Sequence, residues 1–156
     1  MTHRPAPLIV ALLAILNACM PGKPQMNAEE ALNEVKKLVN ATLADVAPNA
    51  EVAPDSIPGG QPCESSLTGH TGQWIYDYGF SFPVPDEAAG ERLVAEAAKF
   101  WKKQGHEVEG DLDDEYSPVI HTGKNGFNYQ FIFARRTLSV SVGGSTPCVD
   151  PLPGDV

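Results

Sequence analysis

Three cysteines, four histidines and one tight run of acids are the side chains of this sequence whose types could do chemistry. Cys63 and Cys148 stand far apart and neither belongs to a Cys-x-x-Cys pair, so neither has the near neighbour that a redox couple or a zinc site uses. His70, His106 and His121 are scattered, with no His-Glu-x-x-His and no pair at i, i+4, which gives a zinc centre no ligand set. Asp111, Asp113 and Glu115 have the spacing that opens a calcium loop. Tyr116 nevertheless stands where such a loop turns on glycine, and Thr122 where it closes on a bidentate glutamate. The acids read as a solvated loop. Ser65 and Ser66 follow Cys63, but no Gly-x-Ser-x-Gly elbow marks an activated nucleophile. The expected set is therefore no catalytic residue, no metal ligand and no cofactor, with covalent chemistry confined to the thiols.

The third thiol, Cys19, has a specific context. Residues 1–19 open with His3 and Arg4, continue as an apolar run from Leu8 to Leu16, and end in Asn17-Ala18-Cys19. That is the layout of a secretory signal. The run is nine residues long, whereas a permanent span needs roughly 20. Leu16-Asn17-Ala18-Cys19 resembles the lipobox of bacterial lipoproteins. The resemblance implies that Cys19 receives diacylglyceryl, that residues 1–18 are cut away and that acyl chains such as palmitate hold the protein on the membrane. Residues 19–26 are then the lipidated Cys and a spacer, and two chains at about 0.8 kcal/mol per buried CH₂ suffice for a stable anchor. The expected location is the extracytoplasmic face of the cell membrane.

Export decides what happens to the remaining sulfurs. An oxidising compartment pairs two leftover thiols, so Cys63 and Cys148 are expected as a structural disulfide. It closes a loop of about 85 residues, worth roughly 4–5 kcal/mol in chain entropy. The chain has 156 residues, and removing 18 leaves 138, the size of one domain. The formal charge is −9 and becomes −10 with the loss of Arg4. So acidic a surface repels nucleic acid and anionic headgroups, which excludes nucleic acid as a partner.

The elements that would hold these groups are legible in outline. Asn27 followed by Glu30 reads as a capping box, and Leu32, Val35, Val39, Leu43 and Val46 recur at helical spacing, predicting a helix over 28–46. Residues 47–62 carry four prolines and two glycines and form an irregular connection. From Trp74 to Phe82 every even position is aromatic, predicting one strand whose aromatic face packs on a second helix or, alternatively, lines a groove for lipid or glycan. That second helix is placed at 87–104, capped by Asp86 and buried through Leu93, Val94, Ala97, Phe100 and Trp101. A short strand is possible at 106–109. Val119–Thr122 then leads through Asn125-Gly126 into Phe127–Phe133 as a hairpin, and a last strand covers 137–142. The fold class is α+β, an antiparallel sheet of about four strands with two helices on one face. Residues 27–150 form a single domain and 151–156 a tail.

Pro62-Cys63, Gly72-Gln73-Trp74, a helix ending in Trp101, Gly105-His106-Glu107-Val108, Asn125-Gly126-Phe127 and Thr146-Pro147-Cys148-Val149 together resemble small actinobacterial cell-envelope lipoproteins of the LppA-like type. The likeness covers the mature part nearly end to end and rests on cysteines, turns and aromatics, which specify a scaffold and no reaction. The functional expectation is a membrane-anchored, non-enzymatic binding or interaction module of the envelope, with an envelope protein as a possible partner. The alternatives are a small-ligand or lipid-binding module, which needs a cavity between sheet and helices, and a small hydrolase, which needs polar groups converging on His106 or His121.

Overall fold

Asn27 and Glu30 start the fold by capping each other: the Glu30 amide donates to Asn27 Oδ1 at 2.9 Å and the Asn27 amide to Glu30 Oε2 at 3.3 Å. The structure, a computed structural model, describes residues 26–55, 60–65, 69–111 and 119–154. The leader, Cys19, all of the spacer but Met26, Ser66 and the acids at 113–115 lie outside the described residues. The elements in chain order are α1 (Ala28–Val46), β1 (Ala53–Pro54), β2 (Gln61–Ser65), β3 (Gly69–Ile75), β4 (Asp77–Pro83), α2 (Glu87–Lys103), β5 (Glu109–Asp111), β6 (Val119–Lys124), β7 (Phe127–Ala134) and β8 (Ser139–Ser145).

The main sheet is antiparallel, in the order β1-β4-β8-β7-β6-β5, and β2 and β3 form a separate two-stranded sheet. It thus has six strands where the sequence suggests about four. The two extra strands are its edges, too short to show a period: β1 ends in Pro54, a residue that edges tolerate, and β5 has three residues at 109–111 rather than 106–109. Both helices lie on one face, α1 across β4 and β8 and α2 across β7 and β6. Between them and the sheet sits the core of Val35, Val39, Phe82, Val94, Ala97, Trp101, Phe131, Phe133, Val140 and Val142. Inside it the Trp101 indole N–H donates to Thr42 Oγ1 at 2.8 Å, and that hydroxyl donates to the Leu38 carbonyl at 2.8 Å.

Two expectations about the aromatic row change. The run from Trp74 to Phe82 is two strands, broken at Tyr76, because the chain there leaves the small sheet for the large one. The Tyr76 amide donates to Thr146 Oγ1 and the Thr146 amide to the Tyr76 carbonyl, so the partner switches while the alternation carries on. The row also meets the first helix: α1 crosses β4, and Tyr78 donates to Asn40 Oδ1 at 3.2 Å, while Phe82 shares the main core with Val94, Ala97 and Trp101 of α2. The hairpin is as expected, with Asn125 and Gly126 at φ 56° and 85° joining β6 to β7. The last strand begins later than expected, at Ser139, after a turn in which Leu138 has φ 48°.

Away from the main core, Ala28, Ala31, Tyr76 and Val149 form a second buried cluster with Leu32, Trp74 and Leu152 against it. Trp74 and Val149 exchange backbone hydrogen bonds, and the Leu152 amide donates to the Tyr76 hydroxyl at 2.7 Å. Cys63 and Cys148 are joined as a disulfide, with Cα atoms 6.2 Å apart and a sequence separation of 85. The bond ties the β2–β3 hairpin to the segment that leaves β8.

Candidate functional site

A groove opens where the helices part above the end of β7. On α1 the spacing of Glu34, Lys37, Leu38, Ala41, Ala44 and Asp45 puts these residues on one flank, beside the buried stripe of Val35, Val39 and Thr42. The opposite wall is Phe100 and Gln104 at the end of α2, followed by His106. Tyr129 is the floor. The cavity measures about 590 Å³, within the range of small-molecule sites.

Local geometry sets each wall. At the end of α2 the His106 amide bonds the Trp101 carbonyl and the Gly105 amide the Lys102 carbonyl, each at 3.0 Å, with Gly105 at φ 84°. This left-handed cap turns the chain back so that the His106 ring meets the Tyr129 ring edge-on, centroids 6.5 Å apart. Alternation along β7 sends Tyr129, Phe131 and Phe133 to the helix side. The facing residue on β8 is Gly144, where a Cβ would come within 2.6 Å of the tyrosine ring, so glycine leaves the ring its place.

Tyr129 is only 7% exposed, and its hydroxyl has no hydrogen-bond partner among the described residues. Burial first, and the Glu34 carboxylate second, push its pKa from 10.0 to about 12. The phenol is therefore neutral at any ordinary pH and offers one donor and two lone pairs to whatever enters. Among the described residues, no serine, threonine or cysteine lines the groove.

Of the residues singled out by sequence, the groove takes His106 and Phe100. His121 is on the opposite face of the sheet, with Nε2 3.4 Å from Glu109 Oε2 on the neighbouring edge strand. His70 belongs to β3, a strand of the separate two-stranded sheet. Among the described residues no three histidines, cysteines, aspartates or glutamates gather as metal ligands. Tyr78, Phe80 and Phe82 are used in packing under α1, so the aromatic row lines no groove of its own. Sequence reasoning missed Glu34, Lys37, Asp45, Gln104 and Tyr129. Tyr129 alone carried a signal, as the one hydroxyl in a row otherwise made of phenylalanines.

The other face of the sheet holds a smaller furrow of about 240 Å³, where Gly79, Gly143, Ser141 and Ser145 leave the strands thinly covered. Two of its polar groups are engaged with each other: Asp77 accepts from Ser145 Oγ at 2.6 Å, and also from Gln61 Nε2 at 3.3 Å.

No protein-family model matches the chain, and no curated protein matches it. Among solved structures, LppA from Mycobacterium tuberculosis, a chain named as a lipoprotein, aligns over 82% of this chain and 81% of its own, with 14% identity and a TM-score of 0.45. A likeness that faint supports neither a shared fold nor a shared role.

Proposed function

We propose that this chain is the precursor of a lipid-tethered, non-enzymatic binding module of the cell envelope, whose working surface is the groove between α1 and the end of α2. Cys19 carries the lipid, the leader is removed, and the folded part stands on the extracytoplasmic face. Among the described residues no helix is long and apolar enough to cross a membrane, and the anchor in this reading is the thioether alone.

The observation that carries the binding assignment is a phenol whose ring is buried while its hydroxyl, with no hydrogen-bond partner among the described residues, is open to the groove. The walls supply apolar area from Leu38, Ala41 and Phe100 and polar groups from Glu34, Lys37, Gln104 and His106, the mixture that orients a small ligand. Among the described residues of the lining there is no serine, threonine or cysteine, and the one hydroxyl, that of Tyr129, holds its proton tightly, which favours binding over turnover.

A thermal-shift screen of small molecules on the mature chain tests this. The expected result is a set of stabilising ligands whose effect disappears in Ala41→Phe, which fills the groove from an exposed helix position while leaving the melting temperature of the free protein unchanged. Sustained turnover of an ester, phosphate or peptidoglycan substrate that is lost in His106→Ala would overturn the reading.

A further inference from the structure

The charges around the groove are unbalanced in one direction. Glu34 and Asp45 bring two carboxylates to its lining and Lys37 one ammonium. Neither acid is engaged by a cation among the described residues, since the ion pairs there involve Glu87, Glu91 and Glu109. Both helices also turn negative ends toward it. Ala44 and Asp45 belong to the last turn of α1, which holds no basic residue, and Gln104 caps the end of α2. Exposed carbonyls at a helix C-terminus favour a cation and disfavour an aspartate, so Asp45 stands where it is least welcome unless a positive group approaches. Lys102 and Lys103 close α2, but neither lines the groove.

The apolar part of the lining has an equally definite shape. Leu38 and Ala41 on α1 face Phe100 on α2, leaving a slot between the two helices with Tyr129 beneath it. Glu34 and Asp45 are eleven residues apart on one helix, a rise of about 16 Å, so the slot is long enough for a ring and a short chain.

We infer that the groove binds a small amphipathic amine, its ammonium between the Glu34 carboxylate and the Tyr129 hydroxyl and its apolar ring over Leu38, Ala41 and Phe100. The assignment rests on the binding function proposed above and names the ligand class for that site. The ammonium donates to the carboxylate and to a phenol lone pair, giving Tyr129 the partner it lacks, while Asp45 adds to the attracting field from the far end. A carboxylate ligand would meet Glu34 directly and is disfavoured.

The test uses three probes of one shape, 2-phenylethylamine, 2-phenylethanol and 3-phenylpropionate. Each is titrated by ¹H–¹⁵N NMR into mature chain (residues 19–156) carrying Cys19→Ser so that no detergent is needed. The expected result is a shift of resonances near Ala41, Gln104, His106 and Tyr129 by the amine, with a Kd on the order of 1 mM for so few atoms. Binding of the alcohol should be about tenfold weaker, and of the carboxylate weaker still. Glu34→Gln should remove the preference for amine over alcohol, Asp45→Asn should reduce it by a smaller factor, and each variant's free spectrum should overlay that of the parent. If the three probes bind alike, or the carboxylate binds best, the amine assignment fails while the groove stands. If none of the three moves these resonances, both the assignment and the groove as binding site fall.

Discussion

The two buried clusters of this molecule are held in different ways. The main core interlocks Phe131, Phe133, Val140 and Val142 with Trp101, Val94, Val39 and Val35, all about 1% exposed or less, and uses no covalent tie. The second cluster has four buried residues, Ala28, Ala31, Tyr76 and Val149, and beside it the Cys63–Cys148 bond ties the β2–β3 hairpin to the segment after β8. The difference teaches where each kind of stabilisation is needed: burial suffices where six strands and two helices enclose a volume, and a crosslink substitutes where a two-stranded hairpin cannot.

The largest effect that could break this comparison comes from the main core. Phe133→Ala should cost about 3–5 kcal/mol in chemical denaturation, since the ring is fully buried. A loss below 1 kcal/mol would mean that the sheet face is loosely filled. Replacing both cysteines by serine should cost about 3 kcal/mol, somewhat below the chain-entropy ceiling of roughly 4.6 for a loop of 85 residues. Hydrogen exchange should then show β2 and β3 unprotected while β7 and β8 stay closed. Uniform loss of protection would make the two clusters one unit.

Two threonines sharpen the same point inside the main core. Thr42 accepts from the Trp101 indole, whereas Thr122, only 3% exposed, has a hydroxyl with no hydrogen-bond partner among the described residues. Thr42→Val should destabilise by about 1–3 kcal/mol because it orphans a buried donor, and Thr122→Val should stabilise by about 1 kcal/mol because it removes one. Urea melts of both variants read this directly. Effects of the same sign would contradict the assignment.

A last effect concerns pH. Tyr129 binds its proton more tightly folded than unfolded, so its contribution is fully present below pH 10 and is lost as pH rises from about 10 to about 12. Wild-type stability should fall by roughly 1–2 kcal/mol more than that of Tyr129→Phe across this interval. Parallel curves for the two proteins would show that the phenol is not shielded.

The sequence made legible what depends on neighbours within a few residues. Asn27 with Glu30, Asp86 before Glu87, and Asn125-Gly126 each satisfy a local rule, and both helices and the β6–β7 hairpin lie where those rules put them. It concealed what depends on a partner. Alternation runs unbroken through Tyr76 although the strands on its two sides belong to different sheets, because a period of two records faces and not neighbours. The groove was hidden for the same reason. Glu34, Lys37 and Asp45 read as the solvated flank of an amphipathic helix, and only the approach of α2's last turn and Tyr129 makes that flank a wall.

All of this presumes a compartment in which Cys63 and Cys148 oxidise while Cys19 is committed to lipid. Intact mass of the protein extracted from the membrane fraction of its host, with and without reduction and alkylation, addresses that premise directly. The result in keeping with the proposal is residues 19–156 plus diacylglyceryl, with no alkylation before reduction and two after it. A chain that still begins at Met1, or one whose Cys19 accepts the alkylating agent, would contradict it.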